Sequence, residues 1–198
     1  ETSSLPLTRA PITHSLPLTL PSSLGPMRTL SSALVFALTV QAAQASDTRL
    51  QFCWIGANGY TMEGQIAFPA EHLNTGIITE ADLTDFQIIG FLDGVAIGSW
   101  SMDQLTPTTS FTVRFDTDTM QFPTGGIRSE NSYQEFNANG RVDNCGLVDG
   151  FGWNGGNYAQ DFCINNTWVE ASSIDPNTPL FAQPIDTRMI CEDTIPLS

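Results

Sequence analysis

From Tyr60 to Phe68 the chain reads YTMEGQIAF, with Tyr60, Met62, Gly64, Ile66 and Phe68 on one side of an extended backbone and Thr61, Glu63 and Gln65 on the other. A two-residue period gathers apolar groups onto one face only in a strand, so this segment is a half-buried strand and not a helix. FTVRF repeats the pattern, with Phe111, Val113 and Phe115 inward and Thr112 and Arg114 outward. Between them, FQIIGFLDGVAIGSW reads as two strands joined at Asp93-Gly94, a pair that tolerates the positive φ of a two-residue type I′ turn. A second hairpin is expected through FDTDTMQF and a third at Asn139-Gly140.

Helix signals are confined to connectors. TEADL offers Thr79 as an N-cap with Asp82 three residues on, and PAEHLN can make one turn after Pro69. Strands recurring about every ten residues, joined by Gly, Asn and Asp turns, predict an all-β antiparallel sandwich or jelly-roll-like fold with one or two short connector helices. DPNTPLFAQPID, residues 175–186, reads as a long irregular connection returning the chain to a last strand around Met189 to Cys191.

Residues 1–26 mix Pro, Ser, Thr and Leu without an apolar period and read as an unstructured extension. Met27 opens MRTLSSALVFALTVQAAQA, in which Arg28 gives the positive flank, Leu30 to Val40 the apolar segment, and Ala43-Gln44-Ala45 the cleavage signature. The apolar run falls short of the roughly 20 residues a bilayer core requires. Residues 27–45 are therefore expected to be a bacterial-type signal peptide, and residues 46–198 a single secreted domain, extracellular or periplasmic and not inserted in a membrane. The formal net charge is −14 and there is no lysine. So negative a surface repels nucleic acid phosphates and anionic headgroups, which excludes nucleic acid and membrane surfaces as partners and favours solubility.

Four cysteines, Cys53, Cys145, Cys163 and Cys191, fall in this domain, and none forms a C-x-x-C pair. After export they read as disulfides. Three pairings are possible on paper. The favoured one joins Cys145 to Cys163 across the loop between them and Cys53 to Cys191, tying the first expected strand to the last. Loops closed in this way contribute on the order of 3 to 5 kcal/mol each in chain-entropy terms. A zinc site, the rival, wants thiolates in a reducing compartment and tighter spacing.

Past the signal, His72 is the single histidine, so any Ser-His-Asp or Cys-His arrangement must pass through a residue in a polar connector. No G-x-S-x-G elbow is present, and GFGWNGG lacks the ending of a phosphate cradle. A carboxylate-dependent glycan hydrolase remains the enzymatic alternative, because it needs only two acids at a set separation, and Glu63 and Glu135 sit on or beside expected strands. Nothing calls for a cofactor, but calcium is the candidate. Its oxygen donors would come from Asp116 and Asp118 in DTD and from the region of Asp143, Asn144, Asp149 and Asp161. The competing explanation for DTD is turn chemistry, since Asp side chains at a hairpin tip bond their own backbone.

CGLVDGFGWNGGNYAQDFC, residues 145–163, carries the candidate ligand-binding residues Trp153, Asn154, Asn157 and Tyr158. A tight turn holding two rings side by side, with amides around them, suits a pyranose face. Alternatively Phe151, Trp153 and Tyr158 fold inward to fill the end of the sandwich, the reading that ring size favours. Asn165-Asn166-Thr167 matches a glycosylation acceptor pattern, which a bacterial export signal makes idle.

The runs GYTMEGQIAF, ITEADLTDFQI, FLDG and FTVRFDTDTMQF resemble segments of exported bacterial proteins of unassigned reaction, some of which carry a PEP-CTERM sorting tail. The resemblance spans residues 50 to 165 and implies a β-rich extracellular or periplasmic module. The chain departs from the sorted type in lacking the terminal Pro-Glu-Pro, apolar helix and basic end. The expectation is a secreted, non-catalytic β-sandwich with a binding or extracellular structural role, its partner a glycan or protein met at the Cys145–Cys163 loop.

Overall fold

The computed structural model describes residues 46–139, 145, 150–185 and 191. Residues 1–45, read above as an extension and an export signal, lie outside them, as do Gly140 of the third expected turn and Met189 and Ile190 of the expected last strand. Among the described residues the fold is all-β: thirteen strands in two antiparallel sheets, with helix limited to three 3-10 turns at Ala70–His72, Glu80–Asp82 and Met102–Gln104. The strands are β1 (Asp47–Ile55), β2 (Tyr60–Pro69), β3 (Ile77–Thr79), β4 (Asp85–Leu92), β5 (Val95–Ser101), β6 (Phe111–Thr112) and β7 (Arg114–Asp116). They continue with β8 (Gln121–Phe122), β9 (Glu135–Phe136), β10 (Phe151–Gly155), β11 (Gln160–Ile164), β12 (Thr167–Ile174) and β13 (Leu180–Pro184). The eight-stranded sheet runs β3-β7-β8-β13-β1-β2-β4-β5 and the five-stranded sheet β12-β11-β10-β9-β6.

The alternation of YTMEGQIAF holds in β2, where Met62, Gly64, Ile66 and Phe68 are buried. β1 pairs with β2 along its whole length, from Asp47↔Pro69 to Ile55↔Thr61, so Leu50, Phe52 and Trp54 share the inner face. The five-stranded sheet supplies the facing layer, with Phe136, Trp153 and Phe162. Ring contacts across the gap, Phe86 to Phe136 at 4.7 Å, Trp54 to Phe162 at 4.9 Å and Trp54 to Trp153 at 6.0 Å, make the core largely aromatic. Tilted and edge-on pairs of this kind stabilise beyond the area they bury. Gly64 is small for a packing reason: a Cβ there would collide with the Phe52 ring lying beneath it.

Asp93-Gly94 makes the expected two-residue turn between β4 and β5, with φ of 49° and 77°. Asn165 and Asn166 turn β11 into β12 in the same left-handed way, with φ of 47° and 64°, so the acceptor-like Asn165-Asn166-Thr167 serves as a hairpin turn. A left-handed non-glycine residue costs about 1 to 2 kcal/mol, less for Asp and Asn, whose side chains bond locally. Asp93→Ala is thus expected to lower stability by about 1 kcal/mol in urea melts, and Asp93→Gly by little or nothing.

FTVRF keeps its alternation but not its continuity. β6 belongs to the five-stranded sheet and β7 to the eight-stranded one, and Val113 between them is the corner. Such a corner leaves backbone groups that neither sheet satisfies. Glu80 Oε2 accepts from the Val113 N–H at 3.0 Å and from Arg114 Nη1 at 2.7 Å. The buried Gln134 accepts the Arg114 N–H at 3.0 Å and donates to the carbonyls of Arg114 and Pro123, both at 2.7 Å.

Residues 175–186 are not an irregular connection throughout. Leu180–Pro184 forms β13, in the middle of the eight-stranded sheet between β8 and β1. The prolines that suggested a loop stand at 176, 179 and 184, before the strand or at its last residue, and Leu180, Phe181, Ala182 and Gln183 alternate in and out. The favoured disulfides form, Cys53–Cys191 and Cys145–Cys163, and among the described residues no cysteine is free.

Candidate functional site

The β10–β11 hairpin divides the four candidate ligand residues. Trp153 is wholly buried, stacked on Phe136 at 5.0 Å and edge-on to Trp54, so it is no sugar platform; the reading in which it fills the sandwich is the one the fold adopts. Its indole N–H meets no acceptor among the described residues, a cost of about 1 to 3 kcal/mol that burial of so large a ring offsets. Asn154 is buried and spent on the turn: its Nδ2 donates to Ala159 O at 3.1 Å and its Oδ1 accepts the Gly156 N–H at 3.2 Å. Asn157 is exposed, and Tyr158 is 82% exposed at the tip.

The metal candidates do not converge. Asp116 Oδ1 accepts the N–H groups of Asp118 at 2.9 Å and Thr119 at 3.3 Å, which is the turn chemistry and not a metal cradle. Asp161 lies on another sheet, and Asp149, with Asp143 and Asn144, falls outside the described residues. Among the described residues no three His, Cys, Asp or Glu side chains gather as a metal would require.

Pairing places Glu135, Asn154 and Asp161 side by side on neighbouring strands of the five-stranded sheet, facing away from the core. Glu135 is wholly buried, its Oε1 accepting from Arg128 Nη2 at 2.9 Å, while Arg128 also lies over the Tyr133 ring. Burial raises the Glu135 carboxyl, against the pull of Ser110, Arg128 and Tyr133. Burial pushes the Tyr133 hydroxyl up to about 12, helped by the Glu135 charge. Asp161 is raised to about 6 by burial, although Asn154 and Ser173 donate to it. Glu63, the other acid singled out in the sequence, projects from β2 on the outer face of the opposite sheet. Glu63 and Glu135 therefore stand on opposite sides of the sandwich and cannot flank one cleft.

That outer face of the eight-stranded sheet carries the arrangement no local reading anticipates. Gln183 on β13 is directly opposite Gln51 on β1, Gln51 opposite Gln65 on β2, and Gln65 opposite Gln87 on β4. Four glutamines thus form a straight row across four adjacent strands, three spacings or about 14 Å long. Gln87 Nε2 donates to Gln65 Oε1 at 3.0 Å, and Gln51 Nε2 reaches the Pro184 carbonyl at 3.4 Å. Because one amide bond joins Gln65 and Gln87, one donor end and one acceptor end of that pair stay available, whichever way the amides are turned.

A shallow depression of about 80 Å³ lies on the row, between Gln51, Gln65, Gln87, Glu63 and Ile89. At the β13 end, where β1 and β13 part, a notch of about 300 Å³ is lined by Trp54, Ile55, Thr178, Pro179, Phe181 and Gln183, among others. Phe181 is 56% exposed and projects on the same face as the glutamines. Gln65 is legible in the sequence as an outward position of its strand, whereas Gln183 falls in the stretch read there as an irregular connection; what sequence lacks is the register that brings the four abreast.

Comparison with family models, curated proteins and solved structures finds no match to this chain. Two disulfides fit an oxidising compartment. No helix among the described residues is long and apolar enough to cross a membrane.

Proposed function

We propose that the protein is an exported β-sandwich that acts by binding a glycan, with the outer face of the eight-stranded sheet as its contact surface. The observation that carries this reading is the glutamine row, because carboxamides both donate to and accept from hydroxyls and are held here at a fixed spacing on a rigid sheet. The site has moved from the Cys145–Cys163 hairpin, where Trp153 and Asn154 are consumed by the fold. Glycan-array binding by the disulfide-intact protein tests it. The Gln65→Ala, Gln87→Ala double variant is expected to lose about ten-fold in affinity and Tyr158→Ala nothing measurable. Loss on Tyr158→Ala alone would return the site to the hairpin.

Hydrolysis, the rival reading, would run through Glu135 and Asp161. These stand two strand spacings apart on one face of the sheet, about 10 Å between backbones, with the amide of Asn154 between them. Glu135, however, is closed off by its Arg128 ion pair. Turnover on a polysaccharide panel that vanished with Asp161→Asn would reverse the ranking.

A further inference from the structure

Resting on the binding role proposed above, we infer that the ligand is an uncharged linear polysaccharide, held by the Gln87–Gln65 pair and laid across the strands over Gln51 to Gln183, with a sugar ring seated against Phe181 in the notch between β1 and β13. Three observations converge on that occupant. The first is charge. Every arginine among the described residues is already in an ion pair: Arg49 with Asp85, Arg114 with Glu80 and Arg128 with Glu135. With no lysine and a net charge of −14, the chain repels anionic polymers, and the row itself is neutral.

The second is direction. The glutamines are aligned perpendicular to the strands, one per strand, with Gln51 already engaged by the Pro184 carbonyl, so a chain that uses the Gln65–Gln87 pair and reaches Gln183 must cross the strands and present hydroxyls repeatedly along its length. A compact monosaccharide would engage only a neighbouring pair. An extended peptide would compete poorly, since its amide groups gain most from a strand edge and this row is a sheet face. The third is the end of the row. Phe181 supplies an exposed ring beside Gln183, and the notch of about 300 Å³ next to it is at the lower bound of small-ligand pockets. Ring faces stack on pyranose rings while amides fix hydroxyls, and here the two chemistries adjoin on one face.

Affinity electrophoresis of the disulfide-intact protein through gels holding mixed-linkage β-glucan, galactomannan, xylan or alginate tests the inference. At least one neutral polysaccharide should retard the protein, and alginate should not. Phe181→Ala should weaken that retardation about ten-fold, with Phe181→Trp retaining it. Both substitutions lie at the surface, and an unchanged melting temperature verifies the fold. Retardation by alginate equal to that by the neutral chains overturns the inference. So does neutral-chain binding that is lost in the Gln65→Ala, Gln87→Ala variant yet untouched by Phe181→Ala; both of these outcomes leave the binding role standing. No retardation by any of the four, or full retardation of the double glutamine variant, removes the binding role itself.

Discussion

Replacing Gln160 with leucine is expected to lower stability by about 3 kcal/mol, which for a domain of this size is a fall of about 10 °C in Tm. Gln160 is wholly buried in β11 yet fully employed. Its Oε1 accepts the Trp54 indole N–H at 2.8 Å, and its Nε2 donates to the carbonyls of Pro176 at 3.0 Å and Thr178 at 2.6 Å. One amide therefore ties β1, β11 and the turn that leads into β13. Leucine fills the volume but leaves the Trp54 N–H and the Pro176 carbonyl without the partner they had, while the Thr178 carbonyl keeps the Thr124 hydroxyl at 2.9 Å. The N–H is the costlier orphan, because Trp54 is 2% exposed, whereas the carbonyl of the half-exposed Pro176 can rehydrate. Trp54→Phe in the Gln160→Leu background removes the orphaned donor along with its acceptor, so the double variant should lose less than the sum of the single ones in thermal melts. A Gln160→Leu protein melting within 2 °C of the parent would show that the bridge contributes little.

Gln160 also shows where reading the sequence stops. Local features were legible: the two-residue period of YTMEGQIAF, the Asp93-Gly94 turn, and the cysteine pairing that matched loop to loop. Each depends on residues near in sequence or on a small number of combinations. Partners set by register were not legible. FTVRF alternates identically whether it stays in one sheet or passes between two, and only Gln134 and Glu80, distant in the chain, mark Val113 as the corner. LFAQ looked like loop because prolines flank it, although they sit where a strand tolerates them. The glutamine row is the extreme case. Gln51, Gln65, Gln87 and Gln183 each obey their own strand's parity, but that they stand abreast follows from pairings that join β13 to β1 across most of the domain. Trp153 failed as a ligand residue for a related reason: a Trp beside glycines at a turn looks exposed until the facing sheet supplies Trp54, and the neighbouring strand β9 supplies Phe136, to bury it.

Acidification is expected to stabilise this protein over a range in which most proteins begin to weaken, and Asp161→Asn to abolish much of that effect. Burial raises the Asp161 carboxyl to about 6 in the folded chain, against its ordinary 3.8. Between those values the folded state holds a proton the unfolded state lacks. Stability from this group is therefore full below about pH 3.8, and it is lost as pH rises through 6. Glu135 is raised by burial as well and works in the same direction. Asp82 and Asp116 act oppositely. The Thr79 N–H holds Asp82 low; for Asp116 burial pulls upward, but the N–H groups of Asp118 and Thr119 outweigh it. Their contribution disappears only as pH falls below the ordinary 3.8, outside the window. A shift of about two units corresponds to about 3 kcal/mol, and the partial exposure of Asp161 reduces this to about 2. Asparagine keeps an acceptor for Ser173 and never ionises. Asp161→Asn should thus gain about 2 kcal/mol over the parent in urea melts at pH 8 and nothing at pH 4. Equal gains at both values would mean that the substitution acts through packing; a loss at pH 8 would mean that the Asp161 charge is needed by the bonds from Asn154 and Ser173, and that its burial is stabilising as it stands.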